Sequence, residues 1–187
     1  TKPSHPKNST LIFIDGAFCK RLPAVGNVDD LFKNQRATVS LGYIGLYEVC
    51  TVFYGENWEH NAQAHEFAEK VVKAMRQKCD EWAQASGYHY SLYSTPAESL
   101  TDTFCRDDIA KFGKVANVTD KEYYTNSFHY DVRKHPTPFE KLTFEQDFPK
   151  YASGGFIHYC EYPNLTQNPK ALEAVWDWAY DHVGYLG

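Results

Sequence analysis

Apolar residues recur every three to four positions through residues 62–86. Phe67, Val71, Met75, Cys79 and Trp82 fall on one stripe, while Glu66, Lys70, Lys73, Gln77 and Lys78 fall largely elsewhere. That period predicts a helix with one buried face, stopped by Gly87. A second helix is predicted after Asn168, with Asn168 as cap and Pro169 at the first helical position. Leu172, Val175, Trp176, Ala179 and Val183 form its expected stripe, and Gly184 ends it. A third follows residues 94–95, with Leu100, Phe104, Ile109 and Phe112 inward and Gly113 as the stop. Strands are expected at 88–93, 128–132 and 156–162, each rich in Tyr, Phe, Val or Ile and bounded by Gly, Pro, Asn or Ser. A weaker strand signal covers 37–41. Residues 46–54 fit helix or strand, and helix is preferred because Gly45 precedes them. A strand at 88–93 between two helices argues for a βα arrangement and the α/β class. Residues 133–155 carry Pro136, Pro138 and Pro149 with little periodicity, and read as a long ordered excursion rich in aromatics.

Composition narrows the function classes. The chain has 187 residues, 43% of them hydrophobic and 16% aromatic, which supports a packed core and argues against disorder. No apolar run approaches the roughly 20 residues a bilayer needs, so no membrane span is expected. Net charge is −5, and Lys and Arg are scattered, so broad nucleic-acid binding is disfavoured. A small anion remains compatible, because one helix N-terminus binds it without a basic surface. Cys19, Cys50, Cys79, Cys105 and Cys160 are widely spaced and odd in number. They suit small buried hydrophobes in a reducing cytoplasm better than a disulfide frame or a four-Cys zinc site.

Three local features could carry chemistry. Ser94, Thr95, Pro96, Ala97, Glu98 and Ser99 follow a predicted strand and open a predicted helix. Thr95 as N-cap, Pro96 at the first helical position and Glu98 at the third make a capping box. The N–H groups of such a turn, with the Ser and Thr hydroxyls, would suit a phosphate at the carboxyl end of the strand; an ordinary capped helix is the plain alternative. Next, Gly42, Tyr43, Ile44 and Gly45 place two glycines three apart, enough for a tight turn or a close approach of backbone to ligand. They do not make a nucleotide-binding glycine fingerprint. Last, His158, Cys160 and Tyr162 alternate along a predicted strand. His158 and Cys160 are either ligands or a nucleophile pair, or core residues, and core packing is preferred. Arg106 sits among Asp102, Asp107 and Asp108 and reads as part of a solvated, salt-bridged face. No Gly-x-Ser-x-Gly elbow, P-loop, His-Glu-x-x-His or EF-hand loop is present.

Four segments taken together resemble one family. They are Arg36-Ala37-Thr38-Val39-Ser40-Leu41-Gly42-Tyr43-Ile44-Gly45-Leu46-Tyr47-Glu48, Ser94 to Asp102, Asp120 to Val132, and Ser153 to Asn164. In this order they closely resemble the anaerobic, class III ribonucleoside-triphosphate reductases, from about residue 16 onward. The resemblance implies part of a ten-stranded α/β barrel of the glycyl radical type. It implies removal of the ribose 2′-hydroxyl of a nucleoside triphosphate by a thiyl radical, with formate as reductant. The stored glycyl radical would be installed by a radical-SAM activase. A structural zinc site, ATP and dNTP effectors and a homodimer are implied for the whole enzyme.

The same resemblance puts the thiyl cysteine before Thr1, and the zinc cysteines and radical glycine after Gly187. Near the C-terminus, Gly184-Tyr185-Leu186-Gly187 resembles the radical loop. That motif, however, needs Arg three before its glycine and usually Cys just before it, where Asp181 and Val183 stand. Gly184 is therefore read as a helix stop. No catalytic residue, metal ligand or cofactor is assigned within 1–187. The chain is expected to be a single barrel fragment, loosely ordered over 1–15 and inactive alone. Residues 94–99 are implied to hold substrate phosphates, and residues 42–45 to lie near the barrel centre. Two other readings stay open: a glycyl radical enzyme of the formate acetyltransferase type, and a non-catalytic anion-binding module.

Overall fold

The computed structural model describes residues 12, 14–16, 20–34, 37–94 and 96–187. Their elements run β1 (Thr38–Gly42), α1 (Leu46–Tyr54), α2 (Ala62–Ser86), β2 (His89–Tyr93), α3 (Ser99–Phe112), α4 (Pro138–Glu145) and α5 (Pro169–His182), with short 3-10 turns between. By internal contacts the chain divides into two units, Thr1–Ser40 with Lys78–Ser91 and Leu41–Gln77 with Leu92–Gly187.

β1 and β2 form a two-stranded sheet. Thr38 Oγ1 lies 2.7 Å from His89 Nδ1, the Ser40 and Ser91 hydroxyls are 3.1 Å apart, and the Ser94 hydroxyl donates to Tyr43 at 2.9 Å. All three pairs are 51 positions apart, and a constant offset means parallel strands. A parallel pair needs a long crossover, which α1 and α2 provide. Parallel bridges Ser94–Phe156 and His158–Leu186 continue the pairing beyond the two strands.

In the first unit, Asn27 caps the Val28–Leu31 turn by accepting the Asp29 N–H, Lys33 pairs antiparallel with Tyr88, and Trp82 packs on Tyr90. In the second, the core is aromatic. Phe128 stacks on Phe148 with ring centroids 5.7 Å apart, and Phe144 meets Trp58 edge-on at 5.3 Å. Leu142 of α4 packs with Val175 and Ala179 of α5, joined by Cys160, Tyr162 and Trp178.

Helix positions follow the sequence closely, but their buried faces do not. On α2, Cys79 is fully buried as expected, but the other fully buried residues are Ala64, Ala68 and Val72, the last two one position along from Phe67 and Val71 of the expected stripe. Small Ala side chains let neighbouring backbone approach. The larger residues flank this seam: Phe67 packs on Phe53 and Tyr54. On α3, Thr101 and Cys105 are buried, whereas Leu100, Phe104 and Phe112 are exposed. On α5, Val175 and Ala179 are buried as expected, but Trp176 is exposed.

Two expected strands are absent from the named elements. At 128–132 the backbone is irregular because the Tyr130 N–H donates to the Glu145 carboxylate at 2.9 Å instead of to a strand. At 156–162 only the Phe156 and His158 bridges occur. The 133–155 excursion contains α4, whose capping box is complete: Thr137 accepts from the Glu140 N–H and the Glu140 side chain accepts from the Thr137 N–H.

Candidate functional site

The carboxyl ends of two parallel neighbours, β1 and β2, lie side by side, so residues 42–45 and 94–98 emerge at the same end of the sheet. Ser94 is fully buried there. Its N–H donates to Gly155 O at 2.9 Å and its hydroxyl to Tyr43 at 2.9 Å. Burial pushes the Tyr43 phenol well above its ordinary range, against the smaller opposing pull of Ser94, so the phenol stays protonated. The Ser94 hydroxyl is thereby used inside the protein.

The helix expected to open at 95–98 begins later. Helix α3 begins at Ser99, and its N-cap is Glu98, with no side-chain cap hydrogen bond. Thr95 lies outside the described residues. Glu98 has φ 46° and ψ −120°. A left-handed backbone at a residue with a side chain costs about 1–3 kcal/mol and persists where surroundings over-determine it. Those surroundings are visible. The Ala97 N–H donates to Asn126 Oδ1 at 2.8 Å, and Glu98 O accepts from both the N–H and the hydroxyl of Thr101.

Gly45 is the glycine the geometry requires. It caps α1 with φ 78°, and a Cβ there would meet the Tyr124 ring at 3.6 Å and Glu48 Oε2 at 3.8 Å. Gly42 has nothing closer than Tyr93 O at 4.0 Å. The Gly45 N–H donates to Thr125 O at 2.8 Å, and Ile44 pairs with Asn126. Behind them Glu48 is buried. Its Oε1 accepts from the Thr125 N–H at 3.0 Å and hydroxyl at 2.7 Å, and pairs with Lys121, which reaches Asp131 at 3.1 Å. Burial alone would raise the Asp131 carboxyl. The Arg133 hydrogen bonds and the Lys121 charge outweigh it and hold the group below its ordinary range.

A second buried network sits on α4. Glu145 Oε1 accepts the Tyr130 N–H, lies 3.2 Å from His129 Nδ1 and pairs with Lys141; Oε2 lies 2.9 Å from His158 Nδ1. A carboxylate only accepts, so each Nδ1 carries the proton. The Nε2 atoms of both histidines are buried without a hydrogen-bond partner. Burial, the largest influence, holds the His129 pKa below its usual value. For Glu145 burial works upward, but the two histidines and Lys141 outweigh it and keep the carboxyl well below its ordinary range. His158 is thus a core residue, and Cys160 packs beside Leu142 instead of pairing with it chemically.

A cleft of about 600 Å³ opens beside Gly45, lined by Ile44, Glu48, Phe104, Asp107, Asp108 and Tyr124 among others. Its three carboxylates make it a poor seat for an anion. Among the described residues no group of three or more His, Cys, Asp or Glu could hold a metal ion. The structural zinc of the resembled family therefore has no fitting donor set among them. No helix of the described residues is long and apolar enough to cross a membrane.

Residues 120–132 supply polar side chains to both networks that no single motif singles out. The signal was there in part: Lys121, Asn126, His129 and Asp131 are polar residues set among aromatics.

Comparison with solved structures defines the class. The fold matches the anaerobic ribonucleotide reductase of Thermotoga maritima. For the structure with dATP bound in the specificity site the TM-score is 0.60 at 16% identity, covering 77% of this chain and 25% of that one. For the structure with glycerol in the active site the values are 0.55, 18%, 76% and 23%. A family model described as anaerobic ribonucleoside-triphosphate reductase matches residues 6–187, and the chain belongs to that family. It is 50% identical over 178 residues to the anaerobic ribonucleoside-triphosphate reductase of Escherichia coli K12, covering 95% of this chain and 25% of that protein. The reductase of Enterobacteria phage T4 is 41% identical over 177 residues, covering 95% and 28%. The chain thus spans about a quarter of the length of these relatives.

Proposed function

We propose that this chain is one contiguous piece of the catalytic α/β barrel of a cytoplasmic anaerobic ribonucleoside-triphosphate reductase. The complete enzyme would convert ribonucleoside triphosphates to 2′-deoxyribonucleoside triphosphates for DNA synthesis. A glycyl radical would supply the hydrogen-abstracting chemistry. Formate as reductant, nucleotide effectors, an activase and a homodimeric state belong to the same reading.

Within this chain we assign residues 94–99 to the triphosphate and residues 42–45 to the neighbourhood of the substrate. The observation that carries this is the parallel pairing of β1 and β2, which brings both loops to the carboxyl end of the strands, where α/β enzymes bind ligands. The turn ends at the N-terminus of the 14-residue α3, whose dipole favours negative charge. With Ser94 and the Ala97 N–H engaged internally, the Glu98 and Ser99 N–H groups are the donors assigned to phosphate. Their work is to bind and orient; no bond is made or broken by them.

Glu98 supplies the test, because its exposed carboxylate would oppose a triphosphate. In the complete enzyme Glu98→Gln should lower KM about two- to fivefold, and Glu98→Lys should lower it further, with kcat nearly constant. KM values unchanged in both variants would remove the phosphate assignment.

A further inference from the structure

Residue 126 is the point at which the two loops of the site are tied together. Its backbone pairs antiparallel with Ile44, next to the 2.8 Å hydrogen bond from the Gly45 N–H to Thr125 O. Its side-chain oxygen accepts the Ala97 N–H at 2.8 Å. Thr125, its neighbour, is locked by two hydrogen bonds to the buried Glu48, which Lys121 neutralises. Asn126 therefore hangs from a rigid support and reaches the turn before α3, whose N-cap Glu98 makes no side-chain cap hydrogen bond. The Leu100 and Thr101 N–H groups of the helix bond back to Ala97 O and Glu98 O, so fixing Ala97 through Asn126 also fixes where the helix starts.

We propose that Asn126 is a positioning residue for the triphosphate. Holding the Ala97 N–H, it fixes the turn so that the next two N–H groups face the ligand, and it sets the spacing between that turn and the 42–45 loop. Asn suits this role because its acceptor oxygen carries no net charge, so the anion-facing turn is held without a carboxylate close by. The inference rests on the phosphate assignment made above.

The complete enzyme tests it with two variants and two ligands. Asn126→Ala should raise KM for a ribonucleoside triphosphate about tenfold while kcat changes by less than about twofold, since one well-placed hydrogen bond in a turn is worth roughly a factor of ten. The inhibition constant of inorganic tripolyphosphate should rise in parallel. Asn126→Asp keeps the acceptor oxygen but brings a carboxylate toward the anion, so it should keep the wild-type melting temperature, which Asn126→Ala lowers, while its KM stays raised. If Asn126→Ala leaves both constants unchanged while the Glu98 variants shift KM, Asn126 has no positioning role and the phosphate assignment survives. If Asn126→Asp melts as low as Asn126→Ala, acceptance from Ala97 is not what holds the turn and the inference is overturned. If neither Asn126 nor Glu98 variants move KM, the phosphate assignment and this inference fall together.

Discussion

His129, His158 and Lys141 converge on one carboxylate, Glu145, with almost no water access. Such an arrangement ties stability to pH. The His129 pKa is lowered from 6.5 in the fold, so below that value the unfolded chain takes up a proton the folded one resists. The Glu145 pKa is lowered from 4.5, so its contribution is present above that value and lost as pH falls through and below it. Both signs agree: stability should be level above about pH 6.5 and fall steadily toward pH 4. Urea unfolding at a series of pH values checks this. Glu145→Gln should remove the part of the loss below about pH 4.5 that belongs to Glu145, while lowering stability at neutral pH by about 3–5 kcal/mol, because Lys141 is left buried without its partner. An unchanged slope in that variant would show that the network does not govern the acid response. Sequence gave no hint of this cluster. His158 could be considered only beside Cys160, and its true partner lies on an element that looked irregular.

At the scale of elements, helix existence was legible and helix orientation was not. The four-residue period of large apolar residues on α2 pointed to Phe67, Val71 and Met75, yet the seam runs through Ala64, Ala68 and Val72. Val72→Ala should cost about 2 kcal/mol through a core cavity, and Val71→Ala distinctly less. Chemical denaturation of both variants decides it, and equal losses would mean the buried face is drawn wrongly. The same sequence signature, Thr-Pro-x-Glu, occurs at 95–98 and 137–140. At 137–140 the reciprocal capping bonds form; after 95–98 the helix starts only at Ser99, with Glu98 left-handed and Asn126 holding the Ala97 N–H. Nothing near residue 95 announces that contact. The 128–132 stretch misled for a related reason: its β-like composition is used for aromatic packing, and a carboxylate 15 residues away claims its backbone.

Across the whole molecule, family and fold agree, and the site assignment rests on where two loops meet. The chain spans about a quarter of its relatives' length. Val52, Phe53, Phe104 and Phe112 expose apolar surface on α1 and α3. The α/β class, the βα arrangement and the loop at the carboxyl end of the 88–93 strand could be read from residues alone. What could not be read was that the Ser94 hydroxyl and the Ala97 N–H are used inside the protein, since both look free in sequence. The most direct test is a structure of the complete enzyme with a ribonucleoside triphosphate bound. The account predicts phosphate oxygens within hydrogen-bond distance of the Glu98 and Ser99 N–H groups, with Asn126 still holding Ala97. Phosphates seated elsewhere in the barrel, with residues 94–99 contacting only protein, would contradict it.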